Sequence, residues 1–376
     1  MSERILVAMS GGVDSAVTAA LLKEQGFTVL GVTMRVWGDN DDTAPENKRP
    51  CCSLTDVQDA RTVAARIDIP FHVLDVREAF DRAVIAPFVH EYLRGRTPNP
   101  CVACNEHLKL GLLLEKAHTF DCAAVATGHY VRVERASAGR WGLRRGLDPY
   151  KEQSYYLFRL RQEQLAHFRA PLGALTKAEV RRLAERFGLH LAEKPGSQEI
   201  CFIPDLDYRG FVRRRVQAAQ EAADPAGASA PSPLAPGDIV DRHGRVLGRH
   251  DGLAGYTIGQ RRGLRIAHHA PLYVVGLDPE RNRVIVGEKE EVFATGLIAG
   301  EVNWLALERP ALPFRARVQI RYRHAAAPAR VEPLDDGRVR IAFDAPESAV
   351  TPGQAAVFYD MDNDWLLGGG WIDAAL

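Results

Sequence analysis

The segment that most constrains this chain is Ile5-Leu6-Val7-Ala8-Met9-Ser10-Gly11-Gly12-Val13-Asp14-Ser15, followed directly by Ala16-Val17-Thr18-Ala19-Ala20-Leu21-Leu22. An apolar run of the length of one buried strand enters two glycines, and a helix-forming run opens at Ser15. Glycines let backbone N–H groups approach an anion closely, and the unpaired N–H groups and dipole of a helix start favour negative charge. The segment therefore reads as a phosphate cradle. It is not the ordinary phosphate loop, which needs G-x-x-x-x-G-K-[ST], because no lysine follows the glycines. The plainer alternative is a strand–turn–helix corner that uses Gly-Gly only to turn.

The six residues Ser10–Ser15 resemble the SGG-x-DS signature of pyrophosphatase-loop enzymes, which split ATP between its α and β phosphates to adenylate a carbonyl or carboxyl oxygen. Six matching residues between a strand and a helix favour the nucleotide reading over the plain corner.

At 376 residues the chain exceeds the usual size of one hydrophobic core, so two or three domains are expected. Its 46% apolar and 26% charged residues are those of a soluble globular protein. Arg4 precedes only a short apolar run, and no uninterrupted apolar stretch is long enough to span a bilayer, so a cytoplasmic protein without a membrane partner is expected. With 48 basic and 48 acidic residues, a globally polycationic nucleic-acid binder is disfavoured, whereas a local basic face is not.

From the N-terminus to about Tyr130, apolar runs alternate with amphipathic stretches. Thr28–Met34, Phe71–Val76 and Cys122–Thr127 read as strands, and Ser15–Gln25, Thr55–Ile67, Glu78–Leu93 and Glu106–His118 as helices. This alternation predicts an α/β fold: a doubly wound, mainly parallel sheet, with the glycine loop at a strand's carboxyl end where ligands bind. The stretch 218–236 is rich in Ala and Pro and reads as a flexible connection or surface insertion. Beyond it, short apolar alternations broken by turns indicate a small β-rich central domain and then a C-terminal β-barrel or sandwich with strands at Phe314–Tyr322, Val339–Phe343 and Ala355–Tyr359. The expected division is 1–208, 209–293 and 294–376.

All six cysteines lie at or before Cys201, so they belong to one domain's chemistry or core rather than to a spread of disulfide staples. Cys101 and Cys104 form a C-x-x-C behind Pro98 and Pro100, just before an amphipathic helix, a position that lowers a thiol's pKa. Together with Cys51-Cys52 they could instead form a zinc site, but adjacent cysteines rarely chelate one zinc well, and no metal is expected. Cys201, between Ile200 and Phe202, would by itself read as core.

With these segments in view the chain resembles the MnmA-type tRNA-specific 2-thiouridylases over nearly its whole length. The matching stretches are Ser10–Ser15, Cys51–Ser53, Thr97–Asn105, Ala126–Tyr130, Lys151–Tyr155, Pro195–Ile203, Gly255–Leu264 and Pro352–Gln354. The resemblance implies an adenine nucleotide alpha-hydrolase-like domain followed by the two β-rich domains, ATP as a substrate with Mg²⁺, and 2-thiolation of the wobble uridine in tRNA of the Lys, Glu and Gln type. It places the nucleotide site on Ala8, Met9, Ser10, Gly11, Gly12, Val13, Asp14 and Ser15, with Met34 and Gly128. Target-base contacts fall on Asn99, Pro100 and Cys101, the nucleophile on Cys104 and the persulfide carrier on Cys201, with a transient Cys104–Cys201 disulfide. Contacts to tRNA fall on His129, Lys151, Glu152, Gln153, Arg321, Tyr322 and Gln354. The implied partners are tRNA and a persulfide sulfur donor, either a cysteine desulfurase or a sulfur-relay carrier. Some family members carry Asp where this chain has Cys101.

The chemistry agrees with the resemblance. Replacing a pyrimidine carbonyl oxygen by sulfur needs a better leaving group than oxide, which AMP transfer provides, and two mobile thiols can then carry and release the sulfur. Between Pro310 and Val331 the residues Arg315, Arg317, Arg321, Arg323 and Arg330, with Tyr322 and His324, form an acid-free basic run suited to gripping a nucleic-acid backbone. The competing reading is another pyrophosphatase-loop adenylating enzyme with a different acceptor. A non-catalytic RNA- or zinc-binding module would leave the glycine loop unexplained.

Overall fold

In the computed structural model, which describes residues 2–36, 54–136, 139–191, 194, 200–203, 205, 207–222 and 234–376, the first strand is buried on both faces. β1 (Arg4–Ala8) leads through the glycine loop to α1 (Val13–Glu24), and then come β2 (Thr28–Arg35), α2 (Leu54–Arg66) and β3 (Phe71–Asp75). A helical run follows: α3 (Arg77–Phe80), a π-helical turn Asp81–Ile85 and α4 (Ala86–Leu93). α5 (Pro100–Ala103) continues through the π-helical segment Cys104–Leu112 into α6 (Leu113–Thr119) and β4 (Ala124–Ala126). β5 (Val131–Arg135), β6 (Trp141–Arg145), α7 (Gln162–Ala166), β7 (Phe168–Arg169), α8 (Lys177–Arg186) and α9 (Tyr208–Ala222) complete the first half.

The parallel sheet has the order β3-β2-β1-β4-β7. Ile5, Leu6 and Val7 are wholly buried because helices cover both faces, which is why the run is continuously apolar. The two-residue period still sorts side chains: Leu6, Leu30, Val32 and Val125 join one core, and Ile5, Val7, Val29 and Ala126 the other. The strands and helices expected before Tyr130 are all present, with ends shifted by a few residues.

β8 (Gly237–Val240), β9 (Val246–His250), β10 (Tyr273–Asp278) and β11 (Arg283–Gly287) form the central sheet in the order β10-β11-β8-β9, over a small core that includes Ile239, Val274 and Val284. The last sheet contains β12 (Phe293–Trp304), β13 (Phe314–Gln319), β14 (Ala327–Pro333), β15 (Val339–Ser348), β16 (Ala355–Tyr359) and β17 (Trp365–Ala375). Among the described residues these six strands run β12-β15-β14-β13-β16-β17, and β17 pairs back onto β12, closing an antiparallel barrel. No described helix is long and apolar enough to cross a membrane.

The hairpin β5–β6 was not apparent in the sequence, and it does not join the parallel sheet. It extends the barrel sheet, with Leu143 opposite Leu366 of β17. Polar bonds lock this join. Arg145 Nη1 lies 2.6 Å from Glu152 Oε2, Arg145 Nη2 donates to Gln319 Oε1 (2.9 Å) and Asn363 Oδ1 (3.1 Å), and the guanidinium lies 3.6 Å over the Tyr359 ring. Ser154 N donates to the other Glu152 oxygen. Removing one partner of a buried ion pair leaves the other charge uncompensated, so Glu152→Ala should destabilise the protein by about 3 kcal/mol, visible as a lower thermal midpoint without any RNA present. An unchanged midpoint would restrict Glu152 to a ligand contact.

A nucleotide cradle and a cysteine strap

The strand order reverses between β1 and β4, and ligands in open α/β sheets bind beyond the carboxyl ends of the strands at such a switch point. Each strand is followed there by a glycine, Gly11 after β1 and Gly128 after β4. Gly11 has φ +70°, and a Cβ on it would collide with the Asp56 carbonyl. Gly12 stands at the N-cap of α1 in an extended conformation with no side chain capping the first turn, so the helix start faces the loop with backbone N–H groups. Ser15 Oγ donates to Gly12 O (3.0 Å) and accepts from Ser10 N (3.1 Å), fixing the loop's curvature from inside. After β4, Gly128 packs on this loop so closely that a Cβ would sit 2.8 Å from Asp14 C and 2.9 Å from Ser15 N. Gly128→Ala should therefore displace the loop and weaken ATP binding by at least roughly tenfold in equilibrium titration, while the thermal midpoint falls by much less than in a core cavity variant.

Asp14 lies between two groups from distant elements. Its Oδ1 accepts from Tyr130 Oη (2.7 Å) and from Lys177 Nζ (2.6 Å) at the start of α8. Burial draws the Lys177 ammonium below its usual pKa, and the Asp14 carboxylate opposes that shift. On the other side Lys194 Nζ donates to Gly11 O (2.9 Å), Asp56 Oδ1 (2.7 Å) and Asp59 Oδ2 (2.5 Å). Burial works against the Lys194 cation, but its bonds to Asp56 and Asp59 outweigh it and raise its pKa. Neither lysine follows the glycines in sequence, so neither was singled out as a phosphate-site residue. A lysine at the first position of a helix bearing the Thr176–Glu179 capping box was the available hint, and only the fold brings it to the loop. Ala8 ends β1, while Met9 and Met34 are 2% and 8% exposed beneath the loop, where Met9 N donates to Val32 O (2.8 Å) and Thr33 Oγ1 to Met9 O (2.6 Å).

Arg96 to Cys104 forms a strap whose two prolines lack N–H groups and hold the preceding residues extended. Pro100 starts α5, so Cys101 and Cys104 lie one helical turn apart. Cys101 adjoins Tyr156 and Tyr322, whose rings are 4.5 Å apart; burial first, then the neighbouring Cys101, raises the Tyr156 hydroxyl above its usual range. Cys201 is anchored by Phe202, which packs edge-on against Phe80 (5.8 Å) and Phe88 (5.0 Å). These rings flank the π-helical turn Asp81–Ile85, against which α5 also packs. Cys104 and Cys201, far apart in sequence, thus pack against one hydrophobic cluster. Cys51, Cys52, Ser53 and residues 195–199 lie outside the described residues. Among the described residues, no three His, Cys, Asp or Glu side chains gather as metal ligands.

The residues expected to touch tRNA are scattered in depth. Lys151, Arg321 and Tyr322 are half-buried, with Arg321 Nη1 donating to Ser348 O (3.0 Å). Arg315 pairs with Asp344, so part of the basic run is neutralised locally, while Arg323 and Arg330 are exposed. Glu152 is buried in the network above, Gln153 Oε1 accepts from Tyr130 N (3.1 Å), and Gln354 bonds the strap. His129 is buried, its Nδ1 2.5 Å from Thr127 Oγ1; burial, and then the Lys109 cation, hold its imidazole well below the ordinary 6.5. With the folded-state pKa depressed, the stability tied to neutral His129 is complete above about pH 6.5 and is lost as pH falls from there towards the folded value. Urea titrations at about pH 7.5 and pH 5.5 should show a smaller acid loss in His129→Gln than in the unsubstituted protein.

Family models match consecutive parts of the chain: tRNA methyl transferase HUP domain over residues 3–205, tRNA methyl transferase PRC-barrel domain over 231–288 and Aminomethyltransferase beta-barrel domain over 294–372. The chain is 54% identical to the tRNA-specific 2-thiouridylase MnmA of Geobacter metallireducens, covering 100% of this chain and 98% of that one. It is 50% identical to the protein of the same name from Geotalea uraniireducens (100% and 96% covered) and 47% identical to that from Symbiobacterium thermophilum (100% and 93%). Similarity at this level spans the nucleotide cradle, the cysteine strap and the barrel alike, and the chain belongs to the MnmA family of tRNA-specific 2-thiouridylases.

Proposed function

We propose that the protein replaces the C2 oxygen of the wobble uridine in tRNA of the Lys, Glu and Gln type by sulfur, with ATP as the activating substrate. Two thiols, Cys104 and Cys201, packed against one apolar cluster in the domain that also carries the Ser10–Ser15 glycine loop support this reading. The uridine oxygen attacks the α-phosphate of ATP held over Ser10–Ser15, Met34 and Gly128, releasing pyrophosphate. Backbone N–H groups of the α1 start, with Lys177 and Lys194 nearby, favour the charge that develops on that leaving group. A magnesium ion accompanying the triphosphate fits the hard oxygen donors of Asp14.

Sulfur transfer then uses the thiols. The terminal sulfur of a Cys201 persulfide attacks C2 and AMP departs with the oxygen. The Cys104 thiolate attacks Cys201 Sγ, breaking the S–S bond, leaving sulfur on C2 and forming a Cys104–Cys201 disulfide. Two external thiols, or one dithiol, supply the two electrons that reopen it and leave as their own disulfide, and a persulfide donor, a cysteine desulfurase or relay carrier, reloads Cys201. The base must leave the anticodon stack to reach the strap, where its contacts are assigned to Asn99, Pro100 and Cys101. Lys151, Arg321, Tyr322 and the exposed Arg323 offer cationic and stacking contacts to the RNA around it, with His129, Glu152 and Gln153 beneath that face. Such a reaction belongs in the cytoplasm, where tRNA and ATP are at hand.

The test is reaction of the full-length protein with unmodified tRNA, ATP and a persulfide donor, with nucleosides resolved by mass. Exchange of oxygen for sulfur, with AMP and pyrophosphate as co-products, is the expected outcome. Asp14→Ala should lose all three products. Cys201→Ser should still release pyrophosphate, leaving AMP on the uridine oxygen, but form no thionucleoside. ADP and phosphate as products, or a nucleoside heavier by a methyl group, would overturn the proposal.

A further inference from the structure

The barrel turn Pro352-Gly353-Gln354 grips the strap just ahead of its cysteines. Gln354 Nε2 donates to Thr97 O (2.9 Å) and reaches Pro98 O (3.4 Å), and Thr97 N donates to Pro352 O (2.9 Å). Gly353, with φ +89°, comes so near that a Cβ would stand 2.9 Å from Thr97 N and 3.0 Å from Thr97 O. Gln354 is itself braced by the sheet: its carbonyl accepts from Ile372 N (2.8 Å), and Ile372 O accepts from Arg96 Nη2 (3.1 Å). One residue further on, Ala355 O accepts from Tyr155 Oη (3.1 Å), and Tyr155 also bonds the Asn99 side chain. Pro98 and Pro100 have no N–H with which to anchor their own segment, so the register of the strap depends on bonds supplied from outside it. The side-chain amide of Gln354 holds the backbone carbonyls of the two residues directly ahead of Asn99.

We propose that Gln354 is a positioning residue for sulfur transfer, holding the Thr97 and Pro98 carbonyls so that Asn99, Cys101 and Cys104 meet the activated base, rather than a residue that binds tRNA. The proposal rests on the thiolation reading above and gives the barrel a part in the chemical step. A Gln354 that gripped RNA would affect association; one that holds the strap affects the step after it.

Full-length Gln354→Ala and Gln354→Glu are the variants, the second keeping side-chain size while removing both N–H donors. Single-turnover thiolation at saturating tRNA and ATP should slow roughly tenfold in each, the effect of one lost hydrogen bond, while the tRNA Kd stays within about twofold. Peptide-resolved alkylation of Cys104 by iodoacetamide, without substrates, should change rate at least roughly threefold. Gly353→Ala moves the same strap without touching a polar group and should reproduce the pattern. A tRNA Kd weakened by the full factor, with the saturated rate intact, would overturn the proposal, as would unaltered thiolation and alkylation. If the unsubstituted protein failed to thiolate tRNA, the functional reading would fall, and Cys104 alkylation would still decide whether Gln354 sets the strap.

Discussion

A single apolar core crosses from the parallel sheet into the barrel, and the rest of the molecule is arranged around it. Leu6, Leu30 and Val125 of the sheet share a buried cluster with Leu143 of the β5–β6 hairpin, Tyr155, Leu157 and Phe158 of the connection, and Ala355, Val357, Tyr359 and Leu366 of the barrel. Each large side chain fully buried there contributes about 1.5–3 kcal/mol, against about 0.5–1.5 kcal/mol net for a typical hydrogen bond across the same join. Apolar area therefore closes the seam, and polar groups set its register. The Arg145–Glu152–Gln319 network is such a register device, expensive to break because its charges are shielded from water.

The strap lies in this seam, which explains how a proline-rich, hydrogen-bond-poor segment keeps one conformation. The barrel supplies bonds from Pro352, Gln354 and Ile372, and the central domain approaches as well, with Thr97 Oγ1 3.5 Å from Thr257 Oγ1 and Gly95 leaving room for Pro279. The π-helical stretch beginning at Cys104 adds a local irregularity in the helix that follows, with Gly111 admitting the Glu106 carbonyl at close range. Three parts of the chain far apart in sequence thus meet where the thiols stand.

The nucleotide cradle is shaped by a different economy. Its glycines allow three backbone segments to approach at distances that a Cβ would forbid, so the loop presents backbone groups, and side chains are added from outside. Lys177 and Lys194 add positive charge to a loop that contains none, each balanced by carboxylates: Asp14 for the first, Asp56 and Asp59 for the second. These carboxylates oppose the downward pull of burial on both ammonium groups, only in part at Lys177 and more than fully at Lys194.

The sequence by itself determined the parallel sheet, the strand–glycine–helix segment at its carboxyl edge and the residue types at the cysteine strap. Those features are local: a buried strand is a continuous apolar run, a helix start beside two glycines needs no distant partner, and Pro98 and Pro100 restrict only their neighbours. It also indicated a β-rich second half, because alternation and turns are local too. Only the tertiary structure decided that β5–β6 joins the barrel, since Val131–Arg145 carries five arginines and no strong alternation, and its pairing to β17 is made with residues more than two hundred positions away. The same holds for Lys177, which reaches Asp14 across 163 residues, for the burial of Glu152 and His129, and for Gln354. A polar side chain reads alike in sequence whether it faces solvent or a buried partner, and the difference arises from what the tertiary fold places opposite it.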